Sequence, residues 1–162
     1  MKFDGEFSVA ASPDEMWAFM LDPEEIGTCI PNCQNIEVID EQNYTAEIGV
    51  SVSKISVTFD VDAEIIEQRE EKFLHFRLTG NAKEGDSRME SNVEIHLSEG
   101  EDETTDVQWE NQVDVTGRIM NMGSRIVKSV GMRQTDKTID NVQDELGRPE
   151  REEEEEETGG LL

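Results

Sequence analysis

Cations are scarce in this chain: 14 Lys and Arg stand against 39 Asp and Glu, a net charge of −25 over 162 residues. Such a surface repels phosphate backbones and anionic lipid, which excludes nucleic acid as a partner and leaves membrane contact at most peripheral. Cysteine is scarce too. Cys29 and Cys33 alone cannot form the disulfide framework of a small secreted domain. No stretch reaches the ~20 apolar residues needed to cross a bilayer. The opening Met1-Lys2-Phe3-Asp4-Gly5 has no apolar run of the kind a signal peptide needs, so a cytoplasmic protein is expected. Apolar residues make up only 35% of the chain and aromatics 6%, so a core must come from patterning.

The acids are not confined to one place. Residues 150–157 hold seven Glu and one Arg, yet about −19 remains on the rest of the chain. At molar salt the Debye length is roughly 3 Å, short enough to screen such self-repulsion. The composition therefore predicts a halophilic, salt-adapted protein that loses structure on dialysis into dilute buffer, as circular dichroism would report. Residues 147–162 read as a disordered acidic tail, and residues 1–146 as one domain.

Within those 146 residues the periodicity changes twice. Residues 2–10 alternate as a strand. Ser12-Pro13-Asp14-Glu15 then announces a helix, with Ser12 as cap, Pro13 in the first turn and Glu15 able to close a capping box. Asp22-Pro23 stops it and begins a second short helix. Strands are expected over 34–40, 43–52, 55–68, 72–79, 85–97 and 105–116. Ile55, Val57, Phe59, Val61, Ala63 and Ile65 share one face of their strand while Ser56, Thr58, Asp60, Asp62 and Glu64 share the other. One apolar and one wet face mean an antiparallel sheet covered on a single side. Residues 117–146 read as one long helix. Ile119, Met122, Gly123, Ile126, Val127 and Val130 form its apolar stripe, and the phase slips near Gly131. The predicted class is α+β: a curved seven-stranded antiparallel sheet wrapped around a C-terminal helix, with two short helices after the first strand.

Two segments carry a family resemblance. Asp22-Pro23-Glu24-Glu25-Ile26 followed by Cys29-Ile30-Pro31-Asn32-Cys33 resembles the D-P-x-x-[LV]…C-[IL]-P-G-C segment of the family of the carbon monoxide dehydrogenase G-subunit. Gly117-Arg118-Ile119 with Met122-Gly123-Ser124-Arg125-Ile126-Val127 resembles that family's G-[KR]-[LI]…L-G-S-R-L-[IL] helix start. Asn32 stands where the family has Gly, and Asn tolerates a left-handed turn. The resemblance implies the START-like helix-grip fold shared with polyketide cyclases and an apolar cavity between sheet and helix. It also implies a lipophilic cargo such as a quinone or lipid, and a molybdenum-containing CO dehydrogenase as partner.

The candidate ligand-binding residues are Ile26, Cys29 and Ile30 at the mouth, and Phe59, Phe76, Met89, Trp109 and Asn111 on the sheet. Met120, Gly123, Ile126 and Val127 complete the set on the helix. Asn111 falls in phase with Trp109 and Val113, which puts an amide on the inward face; Ser87 and Ser91 share that phase on their own strand. Such groups either bond within the fold or anchor a ligand carbonyl. Cys29 and Cys33 lack two further ligands for zinc. His75 and His96 both point outward by alternation, so neither a catalytic residue, a metal nor a cofactor is expected. Three functions stay open: non-enzymatic binding of a lipophilic small molecule, a polyketide cyclase- or dehydratase-like enzyme, and a docking factor for a redox enzyme.

Overall fold

A computed structural model describes residues 1–52 and 54–149. Strand β1 (Lys2–Val9) leads into helices α1 (Pro13–Met20) and α2 (Pro23–Cys29). Strands β2 (Cys33–Asp40), β3 (Asn43–Val52), β4 (Ile55–Arg69), β5 (Phe73–Ala82), β6 (Arg88–Glu99) and β7 (Thr105–Thr116) follow. A 3-10 turn (Arg118–Met122) and helix α3 (Ser124–Leu146) close the fold. This is the predicted helix-grip order.

Consecutive strands from β2 to β7 pair as antiparallel neighbours, and β1 returns to pair with β7. The sheet order is therefore β1-β7-β6-β5-β4-β3-β2, with β1 and β2 at the edges. Register shifts interrupt β2 twice and β4 between Ile65 and Glu67; such bulges bend a strand and raise its twist, which helps a sheet curl around a helix. The sequence signals act locally as read. Ser12 donates its backbone N–H to the Glu15 carboxylate (3.3 Å), and Asp22 accepts from the backbone N–H groups of Glu24 and Glu25. Asn32 sits at φ 59°, the left-handed conformation that Gly would otherwise supply.

The helix departs from expectation in two places. It does not run from residue 117: Gly123, at φ 98°, breaks it, so only a 3-10 turn precedes Ser124. That turn is pinned from below. The backbone N–H of Ile119 donates to Ser87 Oγ and that of Arg118 to Asp86 Oδ1, both at 2.9 Å. Ser87 thus supports the turn. Gly131, where the apolar phase was expected to slip, lies within unbroken helix, and its missing side chain admits Phe3; a Cβ there would stand 3.0 Å from the Phe3 ring. At the far end Gln143 Nε2 donates to the Ser8 carbonyl (2.9 Å) and Ala10 N–H to the Gly147 carbonyl (2.8 Å). With Pro149 also buried, residues 147–149 are held against β1 rather than belonging to the acidic run. The predicted disorder of residues 150–162 lies outside the described residues.

Apolar side chains gather in two clusters at opposite ends of the sheet. One joins Val9, Met16, Trp17, Phe19, Met20, Cys29, Ile65, Leu74, Leu97, Val107 and Val142, all buried. The other has only Phe59, Val61 and Ile119 fully buried, with Met89, Val115, Met120 and Val130 packed around them in part.

Candidate functional site

Between the clusters the molecule is not filled. A cavity of about 450 Å³ separates α3 from the concave face of the sheet. Its walls come from alternate residues of β4 to β7, from Phe3 and Phe7 on β1, from Met16 and Met20 on α1, and from one face of α3. Strand alternation explains the sheet wall: Phe59 and Val61 on β4, Phe76 and Leu78 on β5, Met89 and Val93 on β6, Trp109, Asn111 and Val113 on β7. Their outward neighbours carry the charge, as in the pairs of Lys83 with Asp60 (3.0 Å) and Arg77 with Glu64 (3.9 Å). Many wall residues are only partly buried although they point inward, because what they face is empty space.

Of the twelve sequence candidates, Ile26, Ile30, Phe59, Phe76, Met89, Trp109, Asn111 and Val127 stand on this wall. Four do not. Cys29 is 1% exposed and buried in the packed cluster with Trp17 and Val142. Met120 packs beside Phe59 and Val61 in the smaller cluster, and Gly123 serves as the break before α3. Ile126 is 45% exposed on the outside of α3. On α3 the break at Gly123 resets the helical phase, so Val127 turns inward and Ile126 outward.

The true inner stripe runs Val127, Val130, Gly131, Gln134, Thr135, Thr138, Ile139 and Val142. Gln134, Thr135 and Thr138 escape a search for apolar residues. They are nevertheless three, four and seven residues past Gly131, the same-face spacings of a helix, so phase alone places them. Their polar groups bond within the fold. Thr135 and Thr138 donate to the carbonyls of Gly131 (2.9 Å) and Gln134 (2.8 Å), four residues back. Gln134 Nε2 donates to the Pro31 carbonyl (2.9 Å), and Asn141 Nδ2 to the Cys29 carbonyl (2.8 Å). These two bonds tie α3 to the loop that joins α2 to β2.

On the sheet side, Ser91 Oγ donates to Asn111 Oδ1 at 2.6 Å. That bond fixes the amide with its oxygen engaged and leaves Nδ2 as the donating end. Trp109 lies over Gly5 of the neighbouring strand, where a Cβ would stand 2.9 Å from the indole ring. Its buried Nε1 has no acceptor among the described residues. The wall is thus apolar with a few donors, and two of them, Trp109 and Asn111, point to the same face two residues apart on β7.

Of the remaining reactive side chains, Cys33 touches the hollow while His75, His96 and Cys29 do not. His75 Nε2 is 3.2 Å from Asn92 Oδ1, and the His96 ring lies 4.8 Å from that of Phe73. Burial pushes the thiols of Cys29 and Cys33 up from their ordinary range, which keeps them protonated. Among the described residues no three His, Cys, Asp or Glu converge as a metal site. No described helix is long and apolar enough to cross a membrane.

Residues 5–147 match the family model for the G-subunit of carbon monoxide dehydrogenase (CoxG). No curated protein matches the chain significantly. Among solved structures, a conserved protein from Geobacillus kaustophilus is 20% identical with a TM-score of 0.81, the alignment covering 90% of this chain and 95% of that one. The Zhui aromatase/cyclase from a Streptomyces species is 13% identical with a TM-score of 0.67, over 90% and 93% of the two chains. A START superfamily protein from Mycobacterium smegmatis is 12% identical with a TM-score of 0.65, over 90% and 96%. These likenesses establish the fold.

Proposed function

Because the chain belongs to the carbon monoxide dehydrogenase CoxG family, we propose that its hollow holds a lipophilic small molecule, quinone- or lipid-like, and that it does so as a carrier. The observation that carries this reading is the unfilled volume. An apolar hollow of about 450 Å³ leaves its wall side chains facing space that neighbouring atoms would otherwise fill, at a cost in lost burial and contact. Water is a poor filler, since a buried water needs two to four polar partners and this wall offers few. An apolar guest removes the cost, and the volume lies within the range of small-molecule pockets.

Selection among guests falls to the donors on β7. With its oxygen held by Ser91, Asn111 presents an N–H to the hollow, so a guest carrying a carbonyl or ether oxygen is preferred over a plain hydrocarbon. Entry is assigned to the loop between α2 and β2, where Ile26, Ile30 and Cys33 touch the hollow and, among the described residues, two side-chain hydrogen bonds hold the loop to α3. The wall supports binding rather than conversion. Glu64 is the one acid on the lining among the described residues, and its carboxylate is turned to Arg77 (3.9 Å); the other polar groups are amides, hydroxyls, the indole N–H and the Cys33 thiol. The family also supports a role beside a molybdenum CO dehydrogenase-type oxidoreductase, in its maturation or recruitment, with the acidic exterior suited to a salt-rich cytoplasm.

Native mass spectrometry of the protein purified from its own host, with solvent extraction of the bound material, tests the carrier reading. A stoichiometric lipophilic compound bearing a carbonyl or ether is the expected result. Protein free of guest that co-elutes with a large oxidoreductase would replace it with the docking role.

A further inference from the structure

Two copies of so acidic a molecule repel each other over most of their surface, and the outer side of α3 is the exception. In a chain with 39 acids, none occurs between Asp114 and Asp136, while Arg118, Arg125, Lys128 and Arg133 fall in that interval. Arg125, Ser129, Met132 and Asp136 line a shallow groove along the outside of the helix, flanked by Lys128, Arg133 and Lys137. Asp140 lies at its far end. Four cations and two acids leave this groove at +2, against −25 for the chain. Two large apolar side chains, Met132 (49%) and Ile126 (45%), stand exposed on the same side.

Among the described residues none of Arg125, Lys128, Arg133, Asp136 and Lys137 is in an ion pair, whereas Lys2, Arg69, Arg77, Lys83 and Arg148 all are. Of the two acids, Asp140 is taken by Arg148 (3.7 Å), which leaves Asp136. The groove thus holds uncommitted charge of both signs.

The order of these residues decides what fits. Arg125, Ser129, Met132 and Asp136 are spaced four, three and four apart, the seam by which one helix meets another. Read backwards, the seam is its own complement. In an antiparallel pair of α3 helices, Arg125 of each copy stands opposite Asp136 of the other, and Ser129 opposite Met132, small against large. Lys128 and Arg133 lie on opposite flanks of the seam, so a two-fold axis across it keeps these cations apart. Arg133 then comes alongside Ile126 of the second copy, an apolar surface for its stem.

We propose that two copies of the chain meet here, α3 against α3, antiparallel about a two-fold axis between Ser129 and Met132. From Arg125 to Asp136 the seam is ~17 Å long at a rise of ~1.5 Å per residue. A contact of that length buries less than the ~1,200 Å² at which stable interfaces begin, so the dimer is a transient one. At about 0.15 M salt the Debye length is ~8 Å, which silences distant acids but not pairs in contact. The seam is on the outer side of α3, so the inference stands independently of what the hollow contains.

Sedimentation velocity of the full chain at about 10–200 µM in about 0.15 M salt tests it, and a monomer–dimer equilibrium is the expected result. Arg125→Asp and Asp136→Arg should each raise the dissociation constant at least about tenfold, because two attractions become two repulsions. Both positions are exposed, so the fold should be unchanged, as circular dichroism checks. Combined in one chain, the two changes should restore the dimer. Mixed as separate variants, they should pair with each other, since one copy then carries two acids on the seam and the other two cations. Monomer at every concentration, a dimer indifferent to the single changes, or a mixture that does not pair would each overturn the proposal. So would a monomeric parent that binds polyglutamate or phosphatidylglycerol vesicles through Arg125, which would make the groove an anion site instead.

Discussion

The two ends of the sheet are made from the same strands yet behave differently. Beneath α1 and α2, side chains from β4 to β7 and both short helices close into a solid block, with Val9 and Thr105 fully inaccessible. Toward the start of β4 and the end of β7, only Phe59 and Val61 are buried with Ile119 of the 3-10 turn, inside a rim of half-buried residues. Between them lies the hollow. The difference teaches that the packing that stabilises the fold and the space left open belong to separate stretches of the same strands. One end supplies the burial that stabilises the fold, and that leaves the middle free to remain open.

Substitutions can break this division or sharpen it. The largest effect belongs to the solid block: Phe19→Ala should cost about 3–5 kcal/mol in urea unfolding, the range for losing a buried aromatic ring. Guest uptake by the molecules that remain folded should be unchanged. In the hollow the order reverses. Val113→Phe should cost under about 1 kcal/mol, because the added ring enters space rather than the filled core in which overpacking costs about 1–3 kcal/mol. The same change should lower guest uptake at least tenfold; a cost like that of an overpacked core would mean that no hollow exists in solution. Asn111→Leu should leave unfolding within about 1 kcal/mol of the parent while lowering affinity for carbonyl-bearing guests more than for hydrocarbons, read by fluorescent-probe displacement. Ile126→Ala, outside both regions, should change stability by no more than about 0.5 kcal/mol.

The smallest effect is a pH dependence. Burial raises the folded-state pKa of Cys29, so folding favours its protonated form. That contribution is present below the ordinary thiol pKa and is lost as pH rises through the folded value. Cys29 should therefore resist alkylation by iodoacetamide at mildly alkaline pH, with a slight loss of stability as pH rises further; alkylation as fast as that of a free thiol would mean that the solid end opens readily.

How much of this was legible in the sequence depends on which symmetry each element obeys. Alternation survives bulges and twist, so the inward sets of β4, β5 and β7, Trp109 and Asn111 among them, can be read directly. A helix keeps its phase only while unbroken. The spacing of Ile119, Met122 and Ile126 suggests a single stripe, yet Gly123 at φ 98° separates them, and no residue count reveals that reset. The polar wall of α3 was hidden for a different reason. Gln134, Thr135 and Thr138 satisfy their hydrogen bonds locally or against the Pro31 carbonyl, so they can face a greasy space that composition would deny them. Cys29 follows the same logic in reverse: the motif places it at the mouth, but its backbone carbonyl is what meets α3, and its thiol turns into the packing.

The fastening of α3 has a mechanical corollary. The 3-10 turn that leads into it is bolted through Ser87 and Asp86, and its far end through Gln143 and Gly147 to the first strand. The helix is a beam resting on two piers, and the span between them crosses the cavity with two cross-ties to the neighbouring loop. A beam so supported yields at mid-span and not at its ends. On the carrier reading, guests of different girth would be accommodated by a shallow bow near Gly131 and Gln134, while the piers, and with them the sheet, would keep their places.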